Sequence, residues 1–223
     1  MLYPNLSIDN FFTHPEKIIE FANNCKFNAN DDGRWPGYRT DQLHEIDVDF
    51  FNFITQQIVT CLYPVDFKKM AWKASSTFQK IPGHIYKNVG WIHNDSPSEF
   101  TSIIYLSHHK KCGTSLYMHK SFDRLSRNED FKREGYLKQD PVLINKKKPV
   151  KENNANYEKT FSFQSRFNRM ILFDANHPHG ADKFYEEDCQ EDRLTLITFF
   201  HSLFNRSGEP MKYPSVELKR NEL

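Results

Sequence analysis

Cysteine is scarce in this chain: Cys25, Cys61, Cys112 and Cys189 lie far apart and form no CxxC pair. That spacing argues against a zinc ribbon and against a dithiol redox motif. The first residues, "MLYPNLSIDNFF", lack a basic start followed by an apolar block, so they do not read as a secretory signal. No uninterrupted apolar run approaches the roughly 20 residues that a membrane-spanning helix needs. A charge excess is also missing. With 30 Lys+Arg against 29 Asp+Glu, the formal net charge is +1, which gives no general case for nucleic acid or an acidic membrane surface. Internal repeats are absent. The expectation is a cytoplasmic protein with no membrane segment, whose reduced thiols would suit an easily oxidised metal.

What the chain does have is aromatic bulk. Aromatic residues make up 15% of it, with 20 Phe and 10 Tyr, and 223 residues suffice for one domain with a substantial core. The N-terminal third, about residues 1–70, reads as helical. "THPEKIIEFANNCKF" has Thr13 with Glu16 three residues later, a capping-box pattern, and Pro15 near the first turn. A second helix is expected over "DVDFFNFITQQIVTCLY", where Phe50, Phe51, Ile54, Ile58 and Leu62 recur at helical intervals. The turn-rich "NANDDGRWPGYRTDQL" between them reads as a loop.

From about Trp72 the pattern changes to short runs between turns. Strands are expected at "KASSTFQKI", "HIYKNVGWIH", "FTSIIYLS", "GTSLYMH", "TFSFQSRF", "RMILFDA" and "RLTLITFFHSLF". So many short strands suggest a β-sandwich or jelly-roll barrel over about 71–205, wrapped by the N-terminal helices. Residues 119–159 interrupt it with a short helix, "SFDRLSRNEDFKREGYL", and the polar tract "NKKKPVKENNANYEK". This insert carries 11 Lys/Arg against 7 Asp/Glu and reads as a solvated insertion or a cationic lid over a pocket. A polar C-terminal tail completes a single-domain reading of residues 1–223.

The chemistry-bearing pattern begins at "GWIHNDSP". On a strand, His93 and Asp95 would project to one face and offer a divalent metal an imidazole and a carboxylate. An H-x-D triplet alone is weak, but two further motifs follow it in order. "RMILFDANHPHGADKF" is an apolar strand ending in two histidines, and "DRLTLITFF" opens a strand on which Arg193 and Thr195 share a face. A buried guanidinium beside a hydroxyl can hold a carboxylate, and it needs an anionic partner.

These motifs together resemble the 2-oxoglutarate/Fe(II)-dependent dioxygenases, in particular their prolyl-hydroxylase-like group, over roughly Phe78 to Phe200. The resemblance implies a double-stranded β-helix, the jelly roll shared with cupins, mainly β with flanking helices. It implies Fe(II) on His93, Asp95 and His179. It also implies a 2-oxoglutarate carboxylate held by Arg193 and Thr195, with Tyr105 of "TSIIYLS" reaching the same cosubstrate. O₂ would be the oxidant, ascorbate a stimulant, and hydroxylation with release of succinate and CO₂ the outcome. "CGTSLY" is similar to the small-residue strand that follows in the family. His177 rivals His179 as third ligand, since both share a face if the segment is extended; Gly180 and Ala181 favour His179.

The remaining polar residues have plainer readings. His84, His108, His109, His119 and His201 read as solvent-facing or satisfied structural histidines, and Gln79 and Tyr86 as barrel residues near a cosubstrate pocket. Arg39 reads as a loop salt bridge, and Asp174 as a turn cap. Two other functions fit the barrel: a cupin-like metalloprotein that uses no 2-oxo acid, and a non-catalytic β-sandwich binding module. The substrate is left open among peptide or protein side chains, amino acids, nucleic acids and small metabolites. Oligomeric state is equally open.

Overall fold

The structure is a computed structural model and describes residues 3–29, 35–83, 89–121, 147–189 and 191–205. Among the described residues four segments are α-helical: α1 (Pro15–Asn24), α2 (Leu43–Ile46), α3 (Val48–Leu62) and α4 (Lys147–Asn154). Ten strands accompany them. They are β1 (Leu6–Ile8), β2 (Phe27–Ala29), β3 (Tyr38–Thr40), β4 (Met70–Ile81), β5 (Phe100–Tyr105), β6 (Thr114–His119), β7 (Tyr157–Phe163), β8 (Arg169–Asp174), β9 (His179–Ala181) and β10 (Arg193–Asn205). A seven-stranded sheet has the order β1-β8-β5-β10-β4-β3-β2, and a three-stranded sheet the order β7-β6-β9. Every pairing is antiparallel, as in a jelly roll.

Alternation along the long strands separates two cores. From β10, Leu194, Leu196 and Phe200 face the helices, where they join Phe78, Ile104 and Leu172 with Ile18 of α1 and Ile54 and Ile58 of α3. Phe100 and Phe200 are register partners across β5 and β10, fully buried and stacked with ring centroids 4.3 Å apart. The opposite face looks into the barrel. There Ile103, Tyr105, Ile171, Phe173 and Ile197 of the large sheet meet Leu116 and Phe163 of the small one. Both periodicities follow from strand geometry, which sends successive side chains to opposite faces.

Several expectations need correcting. Helix α1 begins at Pro15, so its N-cap is His14, and no side chain caps it. Thr13 lies one position too early for a capping box, and the His14 ring meets Glu16 instead, at 3.1 Å. The second helix agrees with its reading, and Asp47 caps it by accepting the Phe50 N–H at 2.9 Å. The stretch read as a loop between the helices contributes β3 and α2, and three short strands (β1–β3) extend the large sheet. Their three-residue lengths are too short for a period to show.

Of the strand expected at 84–93, residues 84–88, with His84 and Tyr86, lie outside the described residues. Residues 89–93 form no strand beyond a single bridge between His93 and His179. The helix expected at 121–137, apart from Ser121, and the polar C-terminal tail also lie outside the described residues. No helix among the described residues is long and apolar enough to cross a membrane.

Candidate metal centre and its anion clamp

The chain approaches the centre through Gly90, whose N–H bonds the Ala181 carbonyl at 2.6 Å. A Cβ at Gly90 would sit 2.5 Å from the Ala181 nitrogen, so only glycine lets the two backbones come this close. Three residues on, His93 and His179 exchange backbone hydrogen bonds of 2.9 and 2.7 Å. Asp95 does not sit on a strand with His93. Its direction is set by its own N–H on the Ala175 carbonyl at 2.8 Å, and by the Thr101 hydroxyl, which donates to Oδ2 at 2.7 Å.

The structure brings His93, Asp95 and His179 together, with one potential ligand atom from each within 4.8 Å of the others. The two imidazoles are held in the same way. Nδ1 of His93 bonds the Trp91 carbonyl at 2.7 Å, and Nδ1 of His179 bonds the His177 carbonyl at 2.9 Å. A carbonyl only accepts, so each Nδ1 carries a proton and each ring turns its Nε2 inward, where it holds either a proton or a metal ion. Those Nε2 atoms lie 3.4 and 3.1 Å from the two oxygens of Asp95. Burial alone would raise the Asp95 carboxyl. His179 and His93 outweigh it and hold the group well below the usual carboxylate range. A cation at this spot would replace the Nε2 protons, and this donor set of two imidazoles and a carboxylate fits Fe(II).

His177 is not part of the cluster. Its carbonyl orients His179, and its half-buried ring is pushed down in basicity by burial. Asp174 caps the turn before it, accepting the Asn176 and Tyr3 N–H groups at 2.9 Å each.

A second polar group lies farther along the same barrel face. Register places Thr101 opposite Phe199, Ile103 opposite Ile197 and Tyr105 opposite Thr195. From Thr101, which touches Asp95, to Tyr105 is therefore about 13 Å of strand. Arg193 shares the face of Thr195 and is 4% exposed. Its Nε donates to the Cys112 carbonyl at 3.3 Å, and its guanidinium lies 5.7 Å from the Tyr105 ring centroid and 6.0 Å from that of Phe184. Among the described residues no carboxylate pairs with it, and burial lowers its basicity. Thr195 Oγ1 is buried without a hydrogen-bond partner. Tyr105 joins the face, but its hydroxyl donates to Thr114 Oγ1 at 2.9 Å. Burial raises that hydroxyl to about 12, against the pull of Arg193 and Thr114, so it stays protonated at neutral pH.

Other expected residues have ordinary surroundings. His201 is satisfied by Ser75 at 2.9 Å and Ser98 at 3.3 Å, and exposed His108 stacks on Phe167. Gln79 donates to the Pro36 carbonyl at 2.8 Å, and Arg39 lies over the Trp35 ring, 4.7 Å from its centroid.

Sequence reasoning missed the helix that fixes the His93 segment. At its C-terminal end, α4 offers Asn153 and Asn154. Asn154 Oδ1 accepts the Ile92 N–H at 3.0 Å, Asn154 Nδ2 donates to the Gly90 carbonyl at 2.9 Å, and Asn153 Nδ2 donates to the Ile92 carbonyl at 3.0 Å. This part of the insert is therefore a clamp rather than a purely solvated excursion. His109 also departs from its reading as a surface or satisfied histidine: it is fully buried, and Nδ1 has no partner. Its "HKKC" spacing to Cys112 was the available signal.

With this geometry in hand, the family can be given. The model of DUF6445, a family of unknown function, matches residues 3–200. The chain belongs to that family. No curated protein matches it. Among solved structures, HygX from Streptomyces hygroscopicus with nickel and 2-oxoglutarate bound is similar, at a TM-score of 0.54 and 12% identity over 88% of this chain and 82% of HygX. An oxidoreductase of the 2OG-Fe(II) oxygenase family from Burkholderia pseudomallei aligns at 0.51 and 10%, over 95% of this chain and 88% of that one. A prolyl-4-hydroxylase from Pseudomonas putida aligns at 0.50 and 10%, over 88% and 91%. At these identities the likeness is one of fold, and the fold is that of the 2-oxoglutarate/Fe(II) oxygenases.

Proposed function

We propose that this protein is an Fe(II)- and 2-oxoglutarate-dependent dioxygenase that hydroxylates a substrate still to be identified, releasing succinate and CO₂. The observation that carries the reading is the pair of unmet needs on one barrel face. Two inward imidazole Nε2 atoms and a carboxylate suit a cation, and a buried guanidinium beside an unpartnered hydroxyl calls for an anion. A 2-oxo diacid with a divalent metal satisfies both. The similar HygX structure, solved with nickel and 2-oxoglutarate, supports the assignment.

His93 and His179 would bind Fe(II) through Nε2, and Asp95 through a carboxylate oxygen. Bound Fe(II), with O₂ and the 2-oxo acid, supplies the oxidising power for C–H hydroxylation. The protein's share is placement. Thr101 keeps Asp95 aimed, the Trp91 and His177 carbonyls fix both ring tautomers, and Asn153 and Asn154 pin the segment that carries His93. Arg193 and Thr195 would orient the far carboxylate, fixing the end of the diacid that faces the metal. Ile103, Leu116, Ile171 and Phe173 line the interior with apolar surface that excludes water.

The test is a succinate-release screen with Fe(II), 2-oxoglutarate and ascorbate, run over peptides, free amino acids, nucleotides and nucleic acid. Oxygen-dependent succinate above background, lost in Asp95→Ala, supports the proposal. No succinate with any substrate, together with no metal-dependent binding of 2-oxoglutarate, rejects it.

A further inference from the structure

A second cluster stands apart from the proposed iron ligands. His109 and Cys112 lie on the connection between β5 and β6, and Glu186 on the connection between β9 and β10. All three are buried, and one ligand atom from each lies within 4.8 Å of the others. Cys189 forms a β-bridge with Glu186 but stays outside the cluster: its sulfur lies 4.0 Å from His109 Nε2, on the side of the ring away from Nδ1, and donates to Glu191 Oε1 at 3.6 Å. The chain thus presents H-x₂-C on one connection, with Glu186 facing it from the other.

Two observations point to a cation. His109 Nε2 donates to the Glu191 carbonyl at 3.0 Å, which leaves Nδ1 fully buried without a partner. Glu186 is a buried carboxylate whose Oε1 accepts the Lys111 N–H. Among the described residues no lysine, arginine or histidine forms an ion pair with it. A buried carboxylate and a bare imidazole nitrogen side by side are costly unless something positive sits between them.

We propose that His109, Cys112 and Glu186 form a zinc site that ties the β5–β6 connection to the β9–β10 connection. One imidazole, one thiolate and one carboxylate are a donor set that suits Zn(II) better than the harder metals. Binding releases the Cys112 thiol proton. The site's neighbour gives it a purpose. The Cys112 carbonyl accepts from Arg193 Nε at 3.3 Å, so zinc here would brace the backbone that positions the buried guanidinium. The inference stands on its own residues and does not require oxygenase chemistry.

The test uses the full chain as His93→Ala/Asp95→Ala, which removes the other centre, with metal content measured by mass spectrometry. One equivalent of zinc is expected, and it is lost on adding Cys112→Ser, alone or with His109→Ser. Cobalt(II) loading of the same double variant, with the cluster intact, should give a thiolate-to-cobalt charge-transfer band and the intense visible bands of a tetrahedral ion. That spectrum does not depend on whether the serine variants fold. Absence of bound zinc and of the thiolate band in the folded double variant overturns the proposal, as does zinc retained by the serine variants. Wild-type protein tested in parallel keeps the first centre, so failure of the zinc site and failure of the oxygenase reading give different results.

Discussion

Replacing Arg193 by methionine separates what the residue does for the fold from what it does for a ligand. Arg193 is 4% exposed; among the described residues its guanidinium is accepted by the Cys112 carbonyl alone, and it is partly compensated by the Tyr105 and Phe184 rings. Removing an unpaired buried cation relieves desolvation but orphans a carbonyl and loses the ring contacts. The terms oppose, and unfolding stability should change by no more than about 1 kcal/mol. Binding of a diacid should respond quite differently. In the variant, the far carboxylate is buried without its countercharge, a loss of about 3–5 kcal/mol. That corresponds to a roughly hundredfold to several-thousandfold weaker Kd. The assay is calorimetric titration of 2-oxoglutarate into Mn(II)-loaded protein, repeated with 2-oxovalerate, which lacks the far carboxylate. The variant should bind 2-oxovalerate as the wild type does and lose affinity only for 2-oxoglutarate. Equal 2-oxoglutarate affinities for the two proteins would refute the clamp. A large drop in stability would show that Arg193 serves the core instead.

Removing ligands at the centre gives the next test: His93→Ala or Asp95→Ala should abolish Mn(II) binding there and, with it, succinate production, as measured by metal titration and coupled turnover. Thr101→Val keeps the shape of the side chain but frees Asp95, and should weaken metal binding by about 10–100-fold with little change in fold, by circular dichroism. Asn154→Ala removes two hydrogen bonds to the Gly90–Ile92 backbone; it should cost roughly 1–3 kcal/mol and weaken the metal site, read by denaturant unfolding and metal titration. Phe200→Ala, away from the site and stacked on Phe100, should cost about 3–5 kcal/mol of stability while leaving metal affinity per folded molecule unchanged.

The sequence was most informative where a short period decides the outcome. Arg193 and Thr195 share a face because strand side chains alternate, and the apolar runs of β5, β8 and β10 announce themselves in composition. His93 and Asp95 do converge, but for another reason than the expected strand. A backbone bridge aims the histidine, while Thr101 and the Ala175 carbonyl aim the aspartate. The choice between His177 and His179 was not fixed by a pattern both satisfy; it follows from the backbone pairing of His179 with His93. Least legible were contacts whose partners are distant main-chain atoms. The clamp of Asn153 and Asn154 spans more than 60 residues and leaves no period behind. His109 and Cys112 similarly reveal their cluster only once the β9–β10 connection brings Glu186 to them.

The most direct measurement is an anaerobic titration of Fe(II)-loaded protein with 2-oxoglutarate, followed by visible absorption. Chelation of the 2-oxo acid by iron should produce a charge-transfer band that saturates at one equivalent, weakens in Arg193→Met and is absent in Asp95→Ala. A featureless titration of folded, iron-loaded protein, or a band that persists without Asp95, would contradict the account.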